Sequence, residues 1–339
     1  MQLQSGELYF VREREYQVDS FTNYVKIGLV REREGRSSFD RLREHQTGNP
    51  RDLVLPPGNV LITPAIDRVE ALMHNIFATR RISGEWFLFA NEMEIEGAIS
   101  RAKDLISETE SFSGLLANAE ALEGRESFET IIATSDEIIE ISSRLSLAKG
   151  KLKVLVSIQS QIGNLYKAAH SEGRDLGKGA ATIQRKLAPK FDQERFELEN
   201  SELFQRYLET SRKWDQRFLF KVKPTEIGAL PHEFQNFVEE ITGTVANLGG
   251  NLDLLNDPLL NVTREIALAE WEIETTEAEL KNICGENAGI DSVCTWVRKW
   301  VEKSVFDAKR LAEEYPKLYS SYLVEQETKT YVQPKKKKI

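Results

Sequence analysis

The sequence predicts an α+β fold at its amino end, with a small antiparallel sheet flanked by helices, followed by a mainly α-helical region. Two runs of β-prone residues, 8–11 and 24–29, stand close together, and the second has a glycine, Gly28, next to its last position. Residues 64–78 repeat apolar side chains at helical spacing. From about residue 91 onward that spacing continues, while strand-like alternation disappears. We therefore expect an α+β module and a helical remainder.

The length and composition favour a two-part cytoplasmic protein. At 339 residues the chain is long enough for two buried cores, and 40% hydrophobic with 29% charged residues is typical of a globular chain. It contains no apolar run of about eighteen residues, and its first residues lack a leader-like pattern. We predict an N-terminal domain at residues 1–105, a helical bundle or short coiled-coil region at 106–326, and a basic disordered tail at 327–339.

The charge and cysteine content narrow the choice of partners and sites. The net charge of −9 argues against a chain covered on all sides by nucleic acid, because such binding draws on many Lys and Arg side chains. Residues 1–105 are close to neutral, with 14 Lys and Arg against 16 Asp and Glu, so they could still present a basic face. Cys284 and Cys294 have no other Cys or His near them in sequence. We expect two buried thiols rather than half of a metal site.

The first predicted strand pair carries a tyrosine and a lysine. Tyr9 lies in the middle of the first run, and Lys26 lies in the second run just before Gly28. A lone strand tyrosine is most often half-buried packing, whereas a glycine at a strand end allows a turn or the close approach of a ligand. We expect the connection through residues 12–20 to be a long loop.

A short basic helix is predicted next, at Ser37–Gln46. Ser37 or Ser38 is available as its N-cap, and Thr-Gly-Asn-Pro at residues 47–50 ends it. Arg41 and His45 are four residues apart and therefore share a face. Each could have a functional role or belong to a merely exposed basic face; the family resemblance described below favours the functional role for Arg41 and leaves both interpretations open for His45.

The segments around residues 51–63 and 84–87 complete the predicted sheet. Two short strands, or one interrupted edge strand, are expected on either side of Pro56-Pro57-Gly58, because proline cannot donate to a strand ladder. The phrase Gly84-Glu85-Trp86-Phe87 predicts a turn that delivers two aromatic side chains into the core. We expect Glu85 to be structural.

The helix predicted at residues 64–78 carries a carboxylate and an imidazole on one face. Glu70 and His74 are one turn apart, away from the apolar stripe. On the residues alone, Glu70 could be a surface carboxylate paired with His74 or Arg81, or it could be a metal ligand.

Three of these phrases, in this order, resemble the GIY-YIG nuclease superfamily, and more narrowly its phage- and bacterium-borne branch. They are Val25-Lys26-Ile27-Gly28, the run from Arg41 to Pro50 ending in Gln-Thr-Gly-Asn-Pro, and Gly84-Glu85-Trp86-Phe87. The resemblance covers about residues 5–90. Lys26 stands where the superfamily has its second motif tyrosine, which is the substitution characteristic of this branch. Glu7 and Leu8 replace the glycine and isoleucine of the first motif.

The resemblance implies a metal-dependent DNA endonuclease that hydrolyses phosphodiester bonds, acting on foreign DNA such as phage genomes. The residues it assigns are catalytic Tyr9, Lys26, Arg41, His45 and His74, with Glu70 as the ligand of Mg²⁺ or Mn²⁺. Tyr9 would orient or deprotonate the attacking water. Because an unperturbed phenol is a weak base at neutral pH, the Lys26 ammonium would favour the phenolate, or it would bind phosphate directly. Arg41 would match phosphate oxygens with its planar guanidinium.

The helical remainder carries no family resemblance. Its apolar repeats favour packing inside a bundle, and they leave open a homo-oligomer or a protein partner; they are Ile131, Ile138, Leu145 and Leu152, then Ile266, Ile273 and Leu280. The glycine-rich run at residues 173–179 lacks the spacing of a phosphate loop, and we interpret it as a loop or hinge. The aromatic residues of 191–220 are predicted to be helical core, and Trp296 is predicted to pack on Trp300.

A second interpretation is a catalytically inactive module that binds nucleic acid or protein on a helical scaffold. In this interpretation, the lysine at position 26, in place of the motif tyrosine, indicates that catalytic activity has been lost. Convergence of Tyr9, Arg41 and Glu70 on one place would favour the enzyme, and a scattered arrangement would favour the binding module.

Overall fold

The amino-terminal part is an antiparallel sheet with helices packed on it. The computed structural model describes residues 3–15, 20–47, 49–176 and 180–334. The strands of the amino-terminal part are β1 (Gly6–Glu15), β2 (Ser20–Arg31), β3 (Leu53–Val54), β4 (Val60–Thr63), β5 (Arg81–Ser83) and β6 (Trp86–Leu88). Its helices are α1 (Ser38–Gln46), α2 (Ile66–Ile76) and the start of α3 (Glu92–Glu123). The strand order is β3-β1-β2-β6-β5, with β4 also paired to β1. This confirms the predicted antiparallel sheet flanked by helices.

Strands β1 and β2 are longer than the two predicted runs. Their pairing continues from Gly6 opposite Arg31 to Glu15 opposite Ser20. The expectation of a loop through residues 12–15 was therefore wrong, because those residues extend β1; residues 16–19 lie outside the described part of the chain. The register sets Tyr9 directly opposite Gly28.

The local signals around α1, α2 and the prolines are confirmed. Ser37 caps α1 in a capping box with Asp40, each side chain bonding to the other residue's backbone N–H. The apolar stripe of α2 is buried through Val69, Leu72 and Met73. Two short strands, β3 and β4, lie on either side of the Pro56-Pro57-Gly58 turn, and both pair with β1.

The second part combines long helices with strands. Its helices are α4 (Asp136–Ser171), α5 (Gln193–Glu199), α6 (Ser201–Arg206), α7 (His232–Ala246), α8 (Asn256–Cys284), α9 (Ala308–Glu314) and α10 (Pro316–Ser321). Its strands are β7 (Ile131–Ile132), β8 (Ala180–Arg185), β9 (Lys190–Phe191), β10 (Leu208–Phe220), β11 (Gly289–Ile290), β12 (Cys294–Phe306), β13 (Leu323–Val324) and β14 (Lys329–Pro334). Helices α4 and α8 pack along each other. Of the predicted repeats, Ile138, Leu145, Ile273 and Leu280 meet in one core, where Leu145 and Leu280 are fully buried. Leu152 and Ile266 pack on a second core, and Ile131 lies in β7 and is exposed, so its place in a helical repeat was wrong.

The expectation that strands end before residue 91 was wrong. Strands β10 and β12 pair antiparallel over 13 residues each and form a long ribbon. Trp296 is buried beneath Arg298, while Trp300 is half-exposed and packs edge-on against Trp214 of the facing strand, so the predicted packing of Trp296 on Trp300 is not seen. The helical prediction failed because the two strands come from distant segments and much of the ribbon is solvated, so neither sequence shows a clean alternation.

The distal end of the ribbon carries a duplicated helical knob, formed by residues 190–208 and 305–324. One half has Phe191-Asp192, Arg195, Glu199 and Tyr207, and the other half repeats them as Phe306-Asp307, Arg310, Glu314 and Tyr322. The contacts are reciprocal: the Tyr322 hydroxyl donates to Glu199 at 2.6 Å, and the Tyr207 hydroxyl donates to Glu314. The strand register is reciprocal too, since Leu208 pairs with Phe306 and Leu323 pairs with Phe191. The knob is therefore an approximate two-fold unit built within one chain.

The structure also bears on the predictions for the two cysteines, the carboxyl-terminal tail and the glycine-rich run. Cys284 and Cys294 are buried free thiols, as expected. The disordered tail predicted from residue 327 was wrong for 329–334, which form β14 paired with β8; residues 335–339 lie outside the described part of the chain. Residues 174–176 have no regular structure, as predicted for the glycine-rich run, and 177–179 lie outside the described residues. Within the described ranges, no helix combines the length and apolarity that crossing a bilayer requires.

The two parts share a packed interface. Ala267, Leu268 and Trp271 of α8 pack against the core of the amino-terminal sheet. Arg68 of α2 forms a two-pronged ion pair with Glu274 and lies over the Trp271 ring, 5.1 Å from its centroid. Helix α3 continues through residue 105, the predicted domain boundary. A fragment of residues 1–105 would therefore lose this α8 cover.

We expect Glu274→Ala to lower the free energy of unfolding by roughly 1–3 kcal/mol, because it leaves the mostly buried Arg68 guanidinium without its carboxylate. Urea unfolding followed by circular dichroism measures this change. Glu270→Ala, an exposed position on the same helix, is the matched control and should stay within about 0.5 kcal/mol of the parent. Equal stability of the two variants would show that this ion pair does not stabilise the interface.

Candidate active site

The six predicted site residues and Glu85 form one polar cluster on the amino-terminal sheet. Strands β1 and β2, helices α1 and α2 and the β5–β6 turn supply its members; we call Tyr9, Lys26, Arg41, His45, Glu70, His74 and Glu85 the polar cluster. The members contact or electrostatically influence one another across these elements. Five separate segments of sequence thus meet in one place.

Gly28 makes room for the Tyr9 phenol. A Cβ added at Gly28 would lie 2.5 Å from the Tyr9 hydroxyl and 2.6 Å from its Cζ. These separations are far below van der Waals contact, so a side chain here is incompatible with the position of the ring. The glycine of the Lys-Ile-Gly phrase is therefore required by the tyrosine on the facing strand, with no need for a turn or a left-handed backbone.

The Tyr9 hydroxyl hydrogen-bonds to His45 Nε2 of α1 at 3.2 Å. Tyr9 is fully buried. Burial raises the pKa of its phenol to about 12, the Glu85 carboxylate adds to the rise, and Arg41 opposes it. Burial lowers the pKa of His45, and the Lys26 and Arg41 cations lower it further. A neutral imidazole therefore faces a protonated phenol at neutral pH, and with the proton on Nδ1 its Nε2 accepts from the hydroxyl.

Arg41 lies on the face of α1 beside Tyr9. Its Nη1 donates to Glu44 at 2.7 Å, and its Nε is buried without a hydrogen-bond partner among the described residues. The bond to Glu44 raises the pKa of the guanidinium. About a third of the side chain is exposed, so the group can be reached from solvent. Arg41 thus offers a permanent positive charge with unused donor capacity next to the phenol.

Lys26 forms an ion pair with Glu85, whereas its ammonium was expected to act on the Tyr9 phenol. Its Nζ donates to Glu85 Oε2 at 2.5 Å, and the side chain is only 10% exposed. The expectation that its ammonium promotes the Tyr9 phenolate was wrong, because Glu85 neutralises that ammonium and the pKa of the phenol rises. Burial by itself would raise the pKa of Glu85, but the bond from Lys26 and the nearby histidines outweigh it, so that pKa is lowered.

Glu70 and His74 stand one turn apart on α2, at the opposite side of the polar cluster. His74 Nε2 lies 2.9 Å from the Ile27 carbonyl oxygen and 3.7 Å from Glu70 Oε1. Burial lowers the pKa of His74, so the neutral ring donates from Nε2 to the carbonyl. Burial also raises the pKa of Glu70 to about 7, and the Glu85 carboxylate adds to that rise although Arg81 opposes it. Glu70 is therefore mostly buried, with 17% of its side chain exposed, and it lies beside the His74 that the surface interpretation named as its partner.

Glu85 links the two sides of the polar cluster. Its charge raises the pKa of both Tyr9 and Glu70. From the sequence, Glu85 was expected to be structural. Its place in the Gly-Glu-Trp-Phe phrase was the signal that could have marked it as a site residue. Arg81 of β5 borders the polar cluster, although the sequence suggested it only as an ion-pair partner of Glu70. Burial lowers the pKa of its guanidinium, while Glu70 and Glu85 oppose this.

No protein-family model matches the chain, and neither curated proteins nor solved structures gave a match. The interpretation of function therefore depends on the geometry and electrostatics of the polar cluster.

The donor set fits a hard divalent cation. The Glu85 carboxylate is close enough to disfavour the charge of Glu70, and Glu70 is largely desolvated. A cation between such oxygens would offset both effects, and Mg²⁺ needs few protein ligands because it keeps most of its waters. Among the described residues, no group of three or more His, Cys, Asp or Glu side chains is arranged to hold a metal. A cation site built on Glu70, with or without Glu85, has only one or two protein ligands and so falls below that number.

Proposed function

We propose that the chain is a metal-dependent endonuclease that hydrolyses phosphodiester bonds in DNA. The observation that carries the proposal is the convergence of Tyr9, Arg41 and Glu70, from β1, α1 and α2, on one polar cluster. A phenol, a guanidinium and a desolvated carboxylate are the groups needed to guide a proton, to neutralise phosphate charge and to hold a cation.

Arg41 and Lys26 supply the positive charge. The exposed third of the Arg41 side chain can meet a phosphate, and its buried Nε, which has no partner among the described residues, would join that contact once the side chains around it move. Lys26 is held by Glu85 in the unliganded chain. A phosphate oxygen approaching Lys26 would compete with Glu85 for the ammonium and free that carboxylate.

Tyr9 and His45 supply the proton path. A phenol of pKa about 12 cannot act as a base at neutral pH by ionising first. It can take a proton from water while it passes its own proton to His45 Nε2, and the lowered pKa of His45 keeps that nitrogen free to accept. The proton that Tyr9 gives up therefore ends on the His45 imidazole, and the proton from water ends on Tyr9.

Glu70, with Glu85 as its neighbour, would hold the divalent cation. When bound, Mg²⁺ or Mn²⁺ supplies Lewis-acid neutralisation of the charge that develops on phosphate. His74 Nε2 donates to the Ile27 carbonyl and lies 3.7 Å from Glu70 Oε1, so the imidazole borders Glu70 without a hydrogen bond to it. We further propose that the second part of the chain selects the target, with foreign DNA such as phage genomes implied by the family resemblance.

One observation favours the non-catalytic alternative. The Tyr9 side chain is fully buried, and a hydroxyl closed off from solvent cannot reach a water without movement around it. Metal-dependent cleavage by the purified chain would exclude this alternative, because a binding module does not cut.

The test is cleavage of supercoiled plasmid by the full chain with Mg²⁺ or Mn²⁺, and with EDTA as the metal-free control. We expect Arg41→Ala to lower the cleavage rate on the order of 10²–10³-fold, because it removes charge where the phosphate becomes more negative. Arg43→Ala is the matched control: Arg43 is on the same helix with 84% of its side chain exposed, and should cut like the parent. No cleavage with any metal, or equal rates for both variants, would refute the proposal.

A further inference from the structure

The β10–β12 ribbon is basic in an acidic chain. Its two strands carry six Lys and Arg against three Asp and Glu, whereas the whole chain has a net charge of −9. The two strands therefore carry a net charge of +3. Local positive charge of this kind marks a surface that attracts polyanions.

Both faces of the ribbon carry more basic than acidic side chains: one has Lys213, Arg217, Lys299 and Lys303 against Glu209 and Asp215, and the other has Arg212 and Arg298 against Glu302. Side chains directly opposite each other in an antiparallel pair lie on the same face, and the register sets Lys213 opposite Val301, Asp215 opposite Lys299 and Ser211 opposite Lys303. We call this the outer face; it also carries Arg217, which pairs with Asp215. Its basic side chains are exposed: Lys213, Arg217, Lys299 and Lys303.

The opposite face of the ribbon contacts the body of the protein at Trp214 and Arg298, whereas its residues nearer the tip, Thr210, Arg212, Glu302 and Ser304, are exposed. The Trp214 indole N–H donates to the Glu123 carbonyl at the end of α3, at 3.1 Å. Arg298 is fully buried and donates to the Leu122 and Gly285 carbonyls. The outer face therefore points away from the body, and three of its lysines have no ion-pair partner among the described residues: Lys213, Lys299 and Lys303.

The ribbon is fixed at both ends. At its base, Phe218, Phe220, Cys294 and Trp296 belong to the core shared by α4 and α8. At its tip, Leu208 and Phe306 belong to the aromatic core of the knob. An isolated two-stranded ribbon is marginally stable in water, so these anchors hold the outer face in one conformation. A surface organised in advance loses less entropy on binding.

We propose that the outer face of the β10–β12 ribbon binds double-stranded DNA, with the ribbon in the major groove and its lysines on the flanking phosphates. The major groove of B-DNA admits a two-stranded β-ribbon, whereas that of A-form RNA is too deep and narrow. The inference rests on the proposed nuclease function and extends it, since it gives the target-selecting region a specific contact surface. The polar cluster would cut DNA that the ribbon holds.

The test measures DNA binding separately from cleavage, in EDTA, by fluorescence anisotropy of a labelled DNA duplex at several salt concentrations. The test variant replaces Lys213, Lys299 and Lys303 by Gln. We expect its slope of log affinity against log salt to fall by about 2–3, since each lost phosphate contact removes about 0.9, and its affinity at moderate salt to fall roughly tenfold or more. The matched control replaces Lys153, Lys309 and Lys317, three exposed lysines elsewhere, and should keep the parent slope.

The outcomes separate this inference from the nuclease proposal. Parental binding by the ribbon variant, or equal losses in both variants, would overturn the inference while leaving cleavage by the parent intact. Equal loss on an RNA duplex would overturn the assignment to DNA. Binding that depends on the ribbon, in a chain that cuts nothing with any metal, would support the inference and refute the nuclease.

Discussion

Glu70→Gln is expected to abolish metal-dependent cleavage and to stabilise the protein at alkaline pH. The glutamine keeps the shape of the side chain but removes the charge that holds a cation, so we expect cleavage to fall by on the order of 10³-fold or more. The same charge is unfavourable in the apo fold, because burial raises the pKa of Glu70 from 4.5 to about 7. Function and stability thus make opposite demands on one residue.

The pH dependence follows from the sign of that shift. Between pH 4.5 and about 7 the folded state keeps a proton on Glu70 that the unfolded state has released, so stability falls as pH rises through this window. The full shift corresponds to at most about 3 kcal/mol, lost by pH 8. Glu70→Gln should therefore unfold at higher urea than the parent at pH 8 and at the same urea at pH 4. Cleavage by the parent should fall about tenfold per pH unit below 7, because the proton competes with the cation.

Urea titrations at the two pH values and plasmid cleavage from pH 5.5 to 8.5 measure these effects. Glu96→Gln, an exposed carboxylate on α3, is the matched control and should change neither. Addition of Mg²⁺ at pH 8 should stabilise the parent and not Glu70→Gln. A variant that cuts at the parental rate, or a parent that gains no stability from Mg²⁺, would show that Glu70 does not hold the cation.

The amino-terminal part could be predicted closely because its signals are local. Ser37 and the Thr-Gly-Asn-Pro phrase marked the ends of α1, and helical spacing marked the buried face of α2. Lys26, Arg41 and His45 could be named because two short phrases carried them, and Tyr9, Glu70 and His74 because the family resemblance implied them; Glu85 lay in the third phrase but was expected to be structural. The ion pair of Lys26 with Glu85 could not be predicted, because it joins strand β2 to a distant turn and no spacing in sequence encodes it.

The second part resisted prediction for a related reason. Strands β10 and β12 are held by pairing between segments far apart in the chain, and their exposed stretches alternate charged and apolar residues irregularly. The knob did carry a local signal, the recurrence of Phe-Asp, Arg, Glu and Tyr at the same spacing, and a search for internal repeats would have found it. Its helices are only six or seven residues long, too short for a periodicity argument.

Gly28→Ala is expected to disable the polar cluster from a position that contains no reactive group. The added Cβ would lie 2.5 Å from the Tyr9 hydroxyl, so the fully buried ring must move and its bond to His45 must lengthen or break. A misplacement of about 1 Å can cost about 10²-fold in rate, and overpacking of this kind costs about 1–3 kcal/mol of stability. We therefore expect losses in both plasmid cleavage and resistance to urea.

Two companion variants isolate the cause. Tyr9→Phe removes the hydroxyl but keeps the ring, so it should lose cleavage to a similar extent with a smaller loss of stability. Gly97→Ala places the same methyl group on exposed helix α3, where no atom lies within 4 Å, and should cut like the parent while gaining up to about 1 kcal/mol. If Gly28→Ala behaves like Gly97→Ala, then the Tyr9 hydroxyl need not be held where it is, and the proton path from Tyr9 to His45 is wrong.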